Sequence, residues 1–524
     1  MRVVTNGEMR GLDEETISRF EPGVVLMERA GQGIFDAIMD LLEEPEEERA
    51  SIFLGRGNNA GDGLVVARLL AEAGVGVILH YMHDPEKFSP DAFKNYRKLE
   101  GLRKAGGMEE IFLYLADWKG KVSGAIEQST LIVDALLGTG ISSVVRVEYA
   151  EVIELINGSG LPVVSIDIPS GVNGDTGEIM GSAVSADMTG TMAMPKIGEL
   201  FYPGKSHMGA IEVVDIGIPD EVIEASGIDR HVIDYMAAMD DFPVRDSDAH
   251  KFQCGSLLIA AGSRRYSGAA ALSAYTALRT GCGIVYLAGP ESIRISIQSA
   301  FPEVIFISLP ETADGTVAAE GADELLGQVR FDALALGPGL MVNEETASFV
   351  EKMIVGVDVP VVLDADGLNS FEGRFEDLKK YSGERAIILS PHTGELKRLT
   401  GLDLPGDPIG RMDALVDLVN GSGLTLVHKG APTVIAHSSG RVDINVFGHP
   451  GLATAGSGDV LTGAIAGLLA QTKDPVCAAR LGVYLHSRAA DIAAEDTGER
   501  GMTAGDCGDA LPLALKELEE DCGI

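Results

Sequence analysis

The residues best suited to do chemistry lie in the stretch 454–463, where small residues precede a long apolar helical pattern. Gly456 and Gly458 leave their backbone N–H groups unobstructed. The start of a helix through 464–469 attracts an anion through its free amides and its macrodipole, so this stretch predicts a phosphate-binding turn. Asp459 would repel a phosphate, and we therefore interpret it as a base directed at a hydroxyl group. The alternative is that Asp459 only caps the helix.

A second group of polar residues lies in the first half of the chain. Asp134 and Asp167 both stand where a predicted strand ends, and Ser170 follows shortly after. The carboxyl ends of strands line the ligand crevice of an open α/β sheet, so these residues and Asn59 can converge. Two carboxylates brought together would repel, and with two neutral oxygens they would suit a hard cation. The alternative is that backbone amides cap both carboxylates and no metal binds. Lys196 is a candidate positive charge in the same half.

The elements that must position the first-half residues begin with helical spacing over 7–42. A strand at 51–54, the glycine-rich loop 55–63 and a helix at 64–73 form an arrangement typical of nucleotide binding. The next strand, at 75–81, does not end in the acid that would hold a ribose, so an ordinary dinucleotide site is not expected. Later strands are predicted at 131–136 and 163–166.

The second half repeats the alternation of strand and helix with a polar or glycine-rich loop after each strand, which predicts a second α/β domain. Its strands are predicted at 256–261, 333–336, 361–363, 386–389 and 425–427. His392 follows the fourth strand and is interpreted as a substrate contact rather than an ordinary loop histidine. The acidic, weakly patterned stretch 218–248 is the predicted domain boundary.

Composition narrows the class of protein. The 524 residues carry a net charge of -38 and a pI near 4.5, which argues against a nucleic-acid or anionic-membrane surface. The chain begins without a basic, apolar leader and has no apolar run of membrane-spanning length, so we expect a cytoplasmic protein. The cysteines include no C-x-x-C pair, which predicts neither a disulfide framework nor a zinc site. They are Cys254, Cys282, Cys477, Cys507 and Cys522.

Several of these motifs resemble two known families in a fixed order. The segments 57–63, 133–140 and 167–171 resemble the YjeF N-terminal family of NAD(P)H-hydrate epimerases. Ribokinase-like NAD(P)H-hydrate dehydratases are similar in the segments 364–369, 391–395, 429–433 and 456–459. The order resembles that of bifunctional NAD(P)H-hydrate repair enzymes over nearly the whole chain. It implies a Rossmann-like three-layer domain at 1–225, a linker at 226–245 and a ribokinase-like α/β domain at 246–524.

The resemblance implies repair of NADHX and NADPHX, in which water has added at C6 of the nicotinamide ring. The first domain would interconvert the R and S hydrates. The second would use ADP with magnesium, or ATP as in eukaryotic relatives, to phosphorylate the hydroxyl of the S hydrate, and loss of phosphate would restore the dihydropyridine. We also expect a homo-oligomer. The oligomer's size and any preference between NADHX and NADPHX are not readable from the sequence.

The resemblance also implies site residues. In the first domain Asp167 would be catalytic, and the hydrate would be bound by Asn58, Asn59, Ala60, Gly61, Asp62, Gly138, Thr139, Gly140, Ile141, Ser142, Ser143, Val144 and Asp167. Potassium would be held by Asn59, Asp134 and Ser170. In the second domain Asp459 would be catalytic, and the hydrate would contact Ala269, Gly339, His392 and Asp459. The adenine nucleotide would be bound by Lys429, Gly430, Ala431, Pro432, Thr433 and Gly458.

Three positions depart from the family pattern: Ala60 replaces a usual glycine, Met341 interrupts a Gly-Pro-Gly-Leu-Gly run, and Phe252 follows His250-Lys251 where glycine is common. Two other functions use the same residues. A ribokinase-type small-molecule kinase would share the turn around Asp459, and the first domain could bind a ligand or partner without catalysis. The carboxylates Asp62, Asp134 and Asp167 argue against a purely binding role.

Overall fold

The computed structural model describes residues 1–521, so Cys522 lies outside the described residues, and the chain forms two compact units. The N-terminal unit spans residues 2–228 with the short segment 407–409, and the C-terminal unit contains residue 1, 229–406 and the chain from 410 onward. Both units are mixed α/β structures, as the alternating pattern predicts. No described helix is long and apolar enough to cross a membrane.

The N-terminal unit is built on a parallel sheet of seven strands in the order β3-β2-β1-β4-β5-β6-β7. The strands are β1 Arg49–Leu54, β2 Gly76–Tyr81, β3 Met108–Phe112, β4 Leu131–Ala135, β5 Val163–Ile166, β6 Met188–Met192 and β7 Ala210–Val214. The order reverses between β1 and β4, and such a switch point opens a ligand crevice at the carboxyl ends of the strands.

Helices cover both faces of this sheet and complete three layers. They are α1 Asn6–Arg19, α2 Gly23–Met39, α3 Asn58–Glu72, α4 Pro90–Lys98, α5 Glu100–Lys104, α6 Trp118–Ile126, α7 Val147–Asn157, α8 Ile197–Leu200 and α9 Asp220–Ala225. Successive side chains of β1 point to opposite faces, so Ile52 and Leu54 join one apolar core while Phe53 joins the other.

The predicted glycine loop 55–63 is wrong in its length, because α3 already begins at Asn58. Small residues let this early part of the helix pack closely on its neighbours. A Cβ atom on Gly63 would stand 2.7 Å from the Cβ of Ala135, and one on Gly61 would stand 2.5 Å from the Sδ of Met27. The small residues of this motif therefore serve helix packing. The glycine content of the segment had wrongly indicated a loop.

The C-terminal unit is built on a ten-stranded sheet in the order β11-β10-β9-β12-β13-β14-β15-β16-β17-β8. Its strands are β8 Arg230–Ile233, β9 Ser256–Ala260, β10 Ile284–Pro290, β11 Ile305–Leu309, β12 Ala333–Leu336, β13 Val361–Leu363, β14 Ile387–Leu389, β15 Leu424–His428, β16 Thr433–His437 and β17 Val442–Asn445. Only β16 runs antiparallel to its neighbours, so the carboxyl ends of β9 and β12 to β15 share one edge.

The helices of this half are α10 Tyr235–Asp241, α11 Ser267–Arg279, α12 Arg294–Ala300, α13 Gly321–Leu325, α14 Glu344–Gly356, α15 Asp366–Asn369, α16 Phe375–Tyr381, α17 Thr393–Thr400, α18 Pro408–Val419, α19 Ser457–Thr472, α20 Pro475–Thr497 and α21 Ala504–Asp521. The core contains α19, which is apolar on almost every side because α11, α20 and the sheet surround it.

The segment 226–245, which was expected to be a linker, contains β8 and α10, and from residue 229 it is part of the C-terminal unit. Strand β8 pairs in parallel with β17, and Asp241 at the end of α10 accepts a hydrogen bond of 2.7 Å from Arg480 Nε. The sequence pattern missed this strand because it has only four residues, and its partner lies far along the chain.

Two candidate active sites

The N-terminal unit contains a cleft of about 830 Å³ at the carboxyl ends of β1, β4 and β5. Most of the residues expected to bind the hydrate line it, and these are Asn58, Asn59, Asp62, Gly138, Thr139, Gly140, Ile141, Ser142, Ser143, Val144 and Asp167. Four predicted residues are not among the cleft-lining residues, and these are Ala60, Gly61, Asp134 and Ser170. The four are buried, so any role they have in ligand binding is exerted from beneath the cleft surface.

Asp167 is held in place by a buried lysine. Lys196 is fully buried, and its Nζ atom donates hydrogen bonds to Asp167 Oδ1 at 2.7 Å and to Thr191 Oγ1 at 2.8 Å. Burial opposes the charge of Lys196, but the carboxylates of Asp167 and Glu199 outweigh burial and raise its pKa. Asp167 also has a left-handed backbone with φ of 68°, a strained conformation for a residue with a Cβ atom.

Two other carboxylates of the cleft hold protons more strongly than usual. Burial, together with the charge of Asp167, raises the pKa of Asp13 to about 6, and the same two causes raise the pKa of Asp62 well above its ordinary value. Asp13 Oδ1 is buried without a hydrogen-bond partner among the described residues. Asp13 was not predicted as a site residue, although its position on the first helix, four residues after the buried Met9, was a usable signal.

Asp134 is fully buried and well satisfied. Its carboxylate accepts hydrogen bonds from Leu136 N, Ser165 Oγ, Ser170 N and Ser170 Oγ, at 2.6–3.1 Å. Burial raises its pKa, and these hydrogen bonds oppose the rise. The expected repulsion between Asp134 and Asp167 is therefore compensated by hydrogen bonds on one and by Lys196 on the other.

One buried oxygen near Asp134 remains without a partner. Asn59 donates from Nδ2 to the carbonyl oxygen of Leu137 at 3.0 Å, while its Oδ1 atom is buried and has no hydrogen-bond partner in the described chain. Ser170 Oγ lies 3.1 Å from the same carbonyl oxygen. The amide oxygen, the carbonyl and the hydroxyl are neutral ligands suited to a hard monovalent cation.

The second site is organised by Lys429 at the end of β15. Its Nζ atom lies 2.7 Å from Asp364 Oδ1 and 3.6 Å from Glu395 Oε2. Thr462 on α19 donates to the other oxygen of Asp364 at 2.5 Å. These carboxylates raise the pKa of Lys429 against the effect of burial, so the lysine stays charged. The sequence analysis listed Asp364 and Glu395 only as motif members and missed their role in holding the lysine.

Asp459 lies in the first turn of α19, beside this ion pair. The helix is preceded by Gly456 with φ of 96° and has no side-chain cap. The Asp459 carboxylate forms no hydrogen bond with the described residues. A helix cap requires such a bond to a backbone amide, so Asp459 does not cap α19. Burial and the neighbouring charge of Asp364 raise the pKa of Asp459 to about 7. A carboxylate of this kind is poised to accept a proton near neutral pH.

Several predicted residues surround Asp459. A Cβ atom on Gly458 would stand 3.6 Å from Lys429 Nζ, which brings the glycine turn beside the lysine. A Cβ atom on Gly339 would meet the Cβ of Ala269 at 3.1 Å, and Ser273 on the same helix as Ala269 donates to the carbonyl oxygen of Asp459 at 3.1 Å. These contacts bring β12, α11 and α19 to one place.

His392 plays a structural part that sequence did not reveal. Its Nδ1 atom accepts a hydrogen bond of 2.9 Å from Gly394 N at the start of α17, while Glu395 accepts one from His392 N at 2.9 Å. The ring is half-exposed, and its Nε2 atom lies 3.5 Å from Glu395 Oε1. In the predicted nucleotide segment 429–433, Lys429 N donates to Pro391 O at 3.0 Å, and Thr433 Oγ1 donates to Gly430 O at 3.2 Å.

Known proteins match both units. A family model described as YjeF-related protein N-terminus matches residues 23–198, and one described as NAD(P)H-hydrate dehydratase matches residues 257–513. The ADP/ATP-dependent NAD(P)H-hydrate dehydratase of Bacillus subtilis, co-crystallised with ATP and Mg²⁺, is 29% identical and covers 55% of this chain and 99% of its own, with a TM-score of 0.48.

Two relatives match over almost their entire length. The bifunctional NAD(P)H-hydrate repair enzyme Nnr of Moorella thermoacetica is 38% identical over 525 residues, covering 99% of this chain and 98% of its own. The enzyme of the same name from Thermofilum pendens is 39% identical over 530 residues, with 99% and 97% covered. Because the two family models match the two units and both relatives cover 99% of this chain, it belongs to the family of bifunctional NAD(P)H-hydrate repair enzymes.

Proposed function

We propose that the N-terminal cleft interconverts the R and S hydrates of NADH and NADPH, and that the C-terminal site dehydrates the S hydrate at the expense of ADP. The observation that carries the proposal is Asp459, a half-buried carboxylate without a hydrogen-bond partner among the described residues, with a pKa raised to about 7 at the start of a glycine-preceded helix. A base and an anion-binding turn at one point are what phosphoryl transfer to a hydroxyl requires.

In the dehydration, Asp459 accepts the proton of the C6 hydroxyl while the oxygen of that hydroxyl attacks the β-phosphorus of ADP. The new O–P bond forms while the bond to the departing AMP oxygen breaks. The C6–O bond then breaks, inorganic phosphate leaves, and loss of a proton from C5 restores the C5=C6 double bond. The amides of Gly456 and Gly458 stabilise the transferred phosphoryl group, because they form no backbone hydrogen bond among the described residues, whereas Ser457 N donates to Thr454 O at 3.5 Å.

The segment 429–433 is proposed to hold the nucleotide, with Lys429 placing a fixed positive charge near its phosphates. Magnesium would neutralise phosphate charge when bound with ADP. Among the described residues no three His, Cys, Asp or Glu side chains converge as a metal cage. Magnesium commonly binds through one or two carboxylates and the substrate's own phosphates, which this site can accommodate.

Epimerisation is proposed to occur beside Asp167, whose carboxylate faces the cleft while Lys196 fixes it from behind. The C6–O bond breaks with assistance from the ring nitrogen, and the hydroxyl leaves as water after taking a proton. Water then adds to the opposite face of C6 and returns a proton to the enzyme. A carboxylate of fixed orientation suits this exchange.

Potassium is proposed at Asn59, Ser170 and Asp134. The unpartnered buried Asn59 Oδ1 supports this site, while the four hydrogen bonds to Asp134 assign the aspartate a neighbouring rather than a primary part. The ion would supply a fixed positive charge beneath the cleft. The test is the ratio of the epimerisation rate in potassium buffer to that in sodium buffer, for the wild type and Asn59→Ala, and the variant is expected to lose the dependence on potassium. Equal wild-type rates in both buffers would remove the potassium site.

The function is tested by incubating the protein with pure R hydrate or S hydrate, with ADP or ATP, and following the near-ultraviolet absorbance of reduced nicotinamide. Consumption of the S hydrate needs the second activity alone, whereas the R hydrate needs both. The expected result is nucleotide-dependent recovery from both hydrates above the enzyme-free blank. A stable phosphorylated product with no recovered absorbance would instead support the small-molecule kinase.

A further inference from the structure

The N-terminal cleft carries positive charge that the proposed epimerisation does not use. Arg56 follows β1, His83 follows β2 and Arg146 immediately precedes α7, and all three line the cleft. His83 Nε2 lies 3.0 Å from the hydroxyl of Tyr149, which also lines the cleft. The four side chains come from three different elements of the fold, so their meeting is a property of the folded unit.

The charges of the two arginines converge on the His83–Tyr149 pair. Burial lowers the pKa of His83, and Arg56 and Arg146 lower it further. The same two guanidinium groups oppose the rise in pKa that burial gives to Tyr149. Lys87 lowers the pKa of His83 in the same way, so the positive charge at this place belongs to the two arginines and Lys87.

Neither arginine has a carboxylate partner in the chain from 1 to 521. Several other arginines of the same unit do, since Arg68 contacts Glu28, Arg29 contacts Glu21, and Arg49 contacts Glu109. In a protein with a net charge of -38, acidic partners are abundant. Arg56 and Arg146 are exposed and face the cleft, so both are available to an anionic ligand. Arg10 also lines the cleft, but it lies on α1, the helix that carries Asp13 and Glu14.

We propose that Arg56 and Arg146 bind a phosphate group of the hydrated nucleotide; this inference rests on the proposed function of the cleft. Guanidinium groups pair with phosphate oxygens through two parallel hydrogen bonds. The start of α7, which has no side-chain cap after Arg146, adds free backbone amides that favour the same anion.

The charge pattern also orients the ligand. Five carboxylates line the same cleft and would repel a phosphate group, and these are Asp13, Glu14, Asp62, Asp91 and Asp167. The uncharged hydrate ring therefore lies beside the carboxylates, and the phosphates lie beside the arginines. Two sources of phosphate fit this chemistry: the pyrophosphate common to NADHX and NADPHX, and the 2′-phosphate found only in NADPHX.

The inference is tested with the full chain carrying Arg56→Gln and Arg146→Gln together. The matched control is Arg97→Gln, which removes one exposed arginine of α4 outside the cleft. We expect KM for epimerisation to rise about 10-fold or more in the double variant, because charge-assisted hydrogen bonds are lost, with kcat largely kept. A smaller salt dependence of KM is expected as well.

The two substrates identify the phosphate. An equal rise in KM for NADHX and NADPHX assigns the arginines to the pyrophosphate, and a rise confined to NADPHX assigns them to the 2′-phosphate. A KM for both substrates that matches the Arg97→Gln control would overturn the inference.

A second measurement separates this inference from the proposed function. Calorimetric titration with NADPH and NADH reports phosphate binding without turnover. A wild type that binds these nucleotides through the arginines but leaves both hydrates unchanged would contradict the epimerase assignment alone. Unchanged binding in the double variant would contradict the arginine site, whatever the activity.

Discussion

Both sites contain a lysine–aspartate ion pair at the carboxyl edge of a parallel sheet, but the lysine holds a different partner in each. Lys196 is fully buried and binds Asp167, the proposed catalytic carboxylate. Lys429 binds Asp364 and leaves Asp459 unpaired, with its pKa raised to about 7. The N-terminal site thus fixes the carboxylate proposed to react, whereas the C-terminal site leaves its proposed base without an ion-pair partner. The same pair of residue types serves orientation in one unit and basicity in the other.

The largest expected effect is the loss of dehydration when Asp459 is replaced. Asp459→Asn keeps the side-chain shape but cannot accept the hydroxyl proton, so dehydration of the S hydrate is expected to fall about 100-fold or more. ADP binding should stay within a few-fold, and epimerisation should be unaffected. The reciprocal variant Asp167→Asn should lose epimerisation and keep dehydration. Near-wild-type turnover by Asp459→Asn would remove the base assignment.

The two lysines should differ in their effect on stability. Lys196→Met leaves Asp167 and the buried Glu199 without their cation, and we expect a loss of about 3–5 kcal/mol from the unfolding free energy of the N-terminal unit. Lys429→Met should cost about 1–3 kcal/mol in its unit, since Asp364 retains the hydrogen bond from Thr462. Chemical denaturation of each variant checks the order, and equal losses would mean that burial does not distinguish the two pairs.

The raised pKa of Asp459 should be visible in the pH dependence of dehydration. Asp459 must be unprotonated to act, so kcat/KM for dehydration should rise with pH through about 7 and be lost below it. Asp364→Asn removes the negative neighbour that raises this pKa and should move the rising limb to lower pH. Epimerisation by the same variant serves as the internal control, because its profile should not move. A limb that stays in place would show that Asp459 is not the titrating group.

The smallest expected effect concerns residues with a left-handed backbone near the two sites. Met341 has φ of 60° in the loop after β12, as Asp167 has φ of 68° after β5. Met341→Gly relieves a left-handed backbone at some entropic cost, so we expect a gain of about 0.5 kcal/mol and unchanged turnover. Val342→Gly, at an exposed neighbouring position, should give no such gain. Thermal unfolding distinguishes the two variants.

The sequence was sufficient to predict the limits of strands that are apolar and are followed by a polar or glycine-rich loop. The limits of β5, β12 and β13 were predicted to the residue, because each is a short buried run between polar segments. Each site's motif also pointed to its proposed base or carboxylate. Strands that are short, partly polar or antiparallel, such as β8 and β16, carry weaker local patterns and were not predicted.

The side-chain partnerships could not be read from sequence, since they join residues far apart in the chain. Nothing local indicates that Thr462 donates to Asp364, or that Lys196 stands behind Asp167. The departure at Met341 was visible, but its left-handed backbone was not. The sequence pattern indicates which residue types stand at the ends of strands, while the order of the strands in the sheet decides which of those residues come into contact.

The pairing of β8 with β17 has a consequence for the order in which the protein is made. As the ribosome extends the chain, β8 emerges about 200 residues before the strand beside which it lies. The seven strands of the N-terminal sheet are complete by Val214 and can assemble early. In the C-terminal sheet, β8 stays unpaired until β17 has been synthesised, late in the chain. A fragment for the second activity should accordingly begin before Arg230, since one beginning at Asp246 would leave the edge of β17 bare and prone to association.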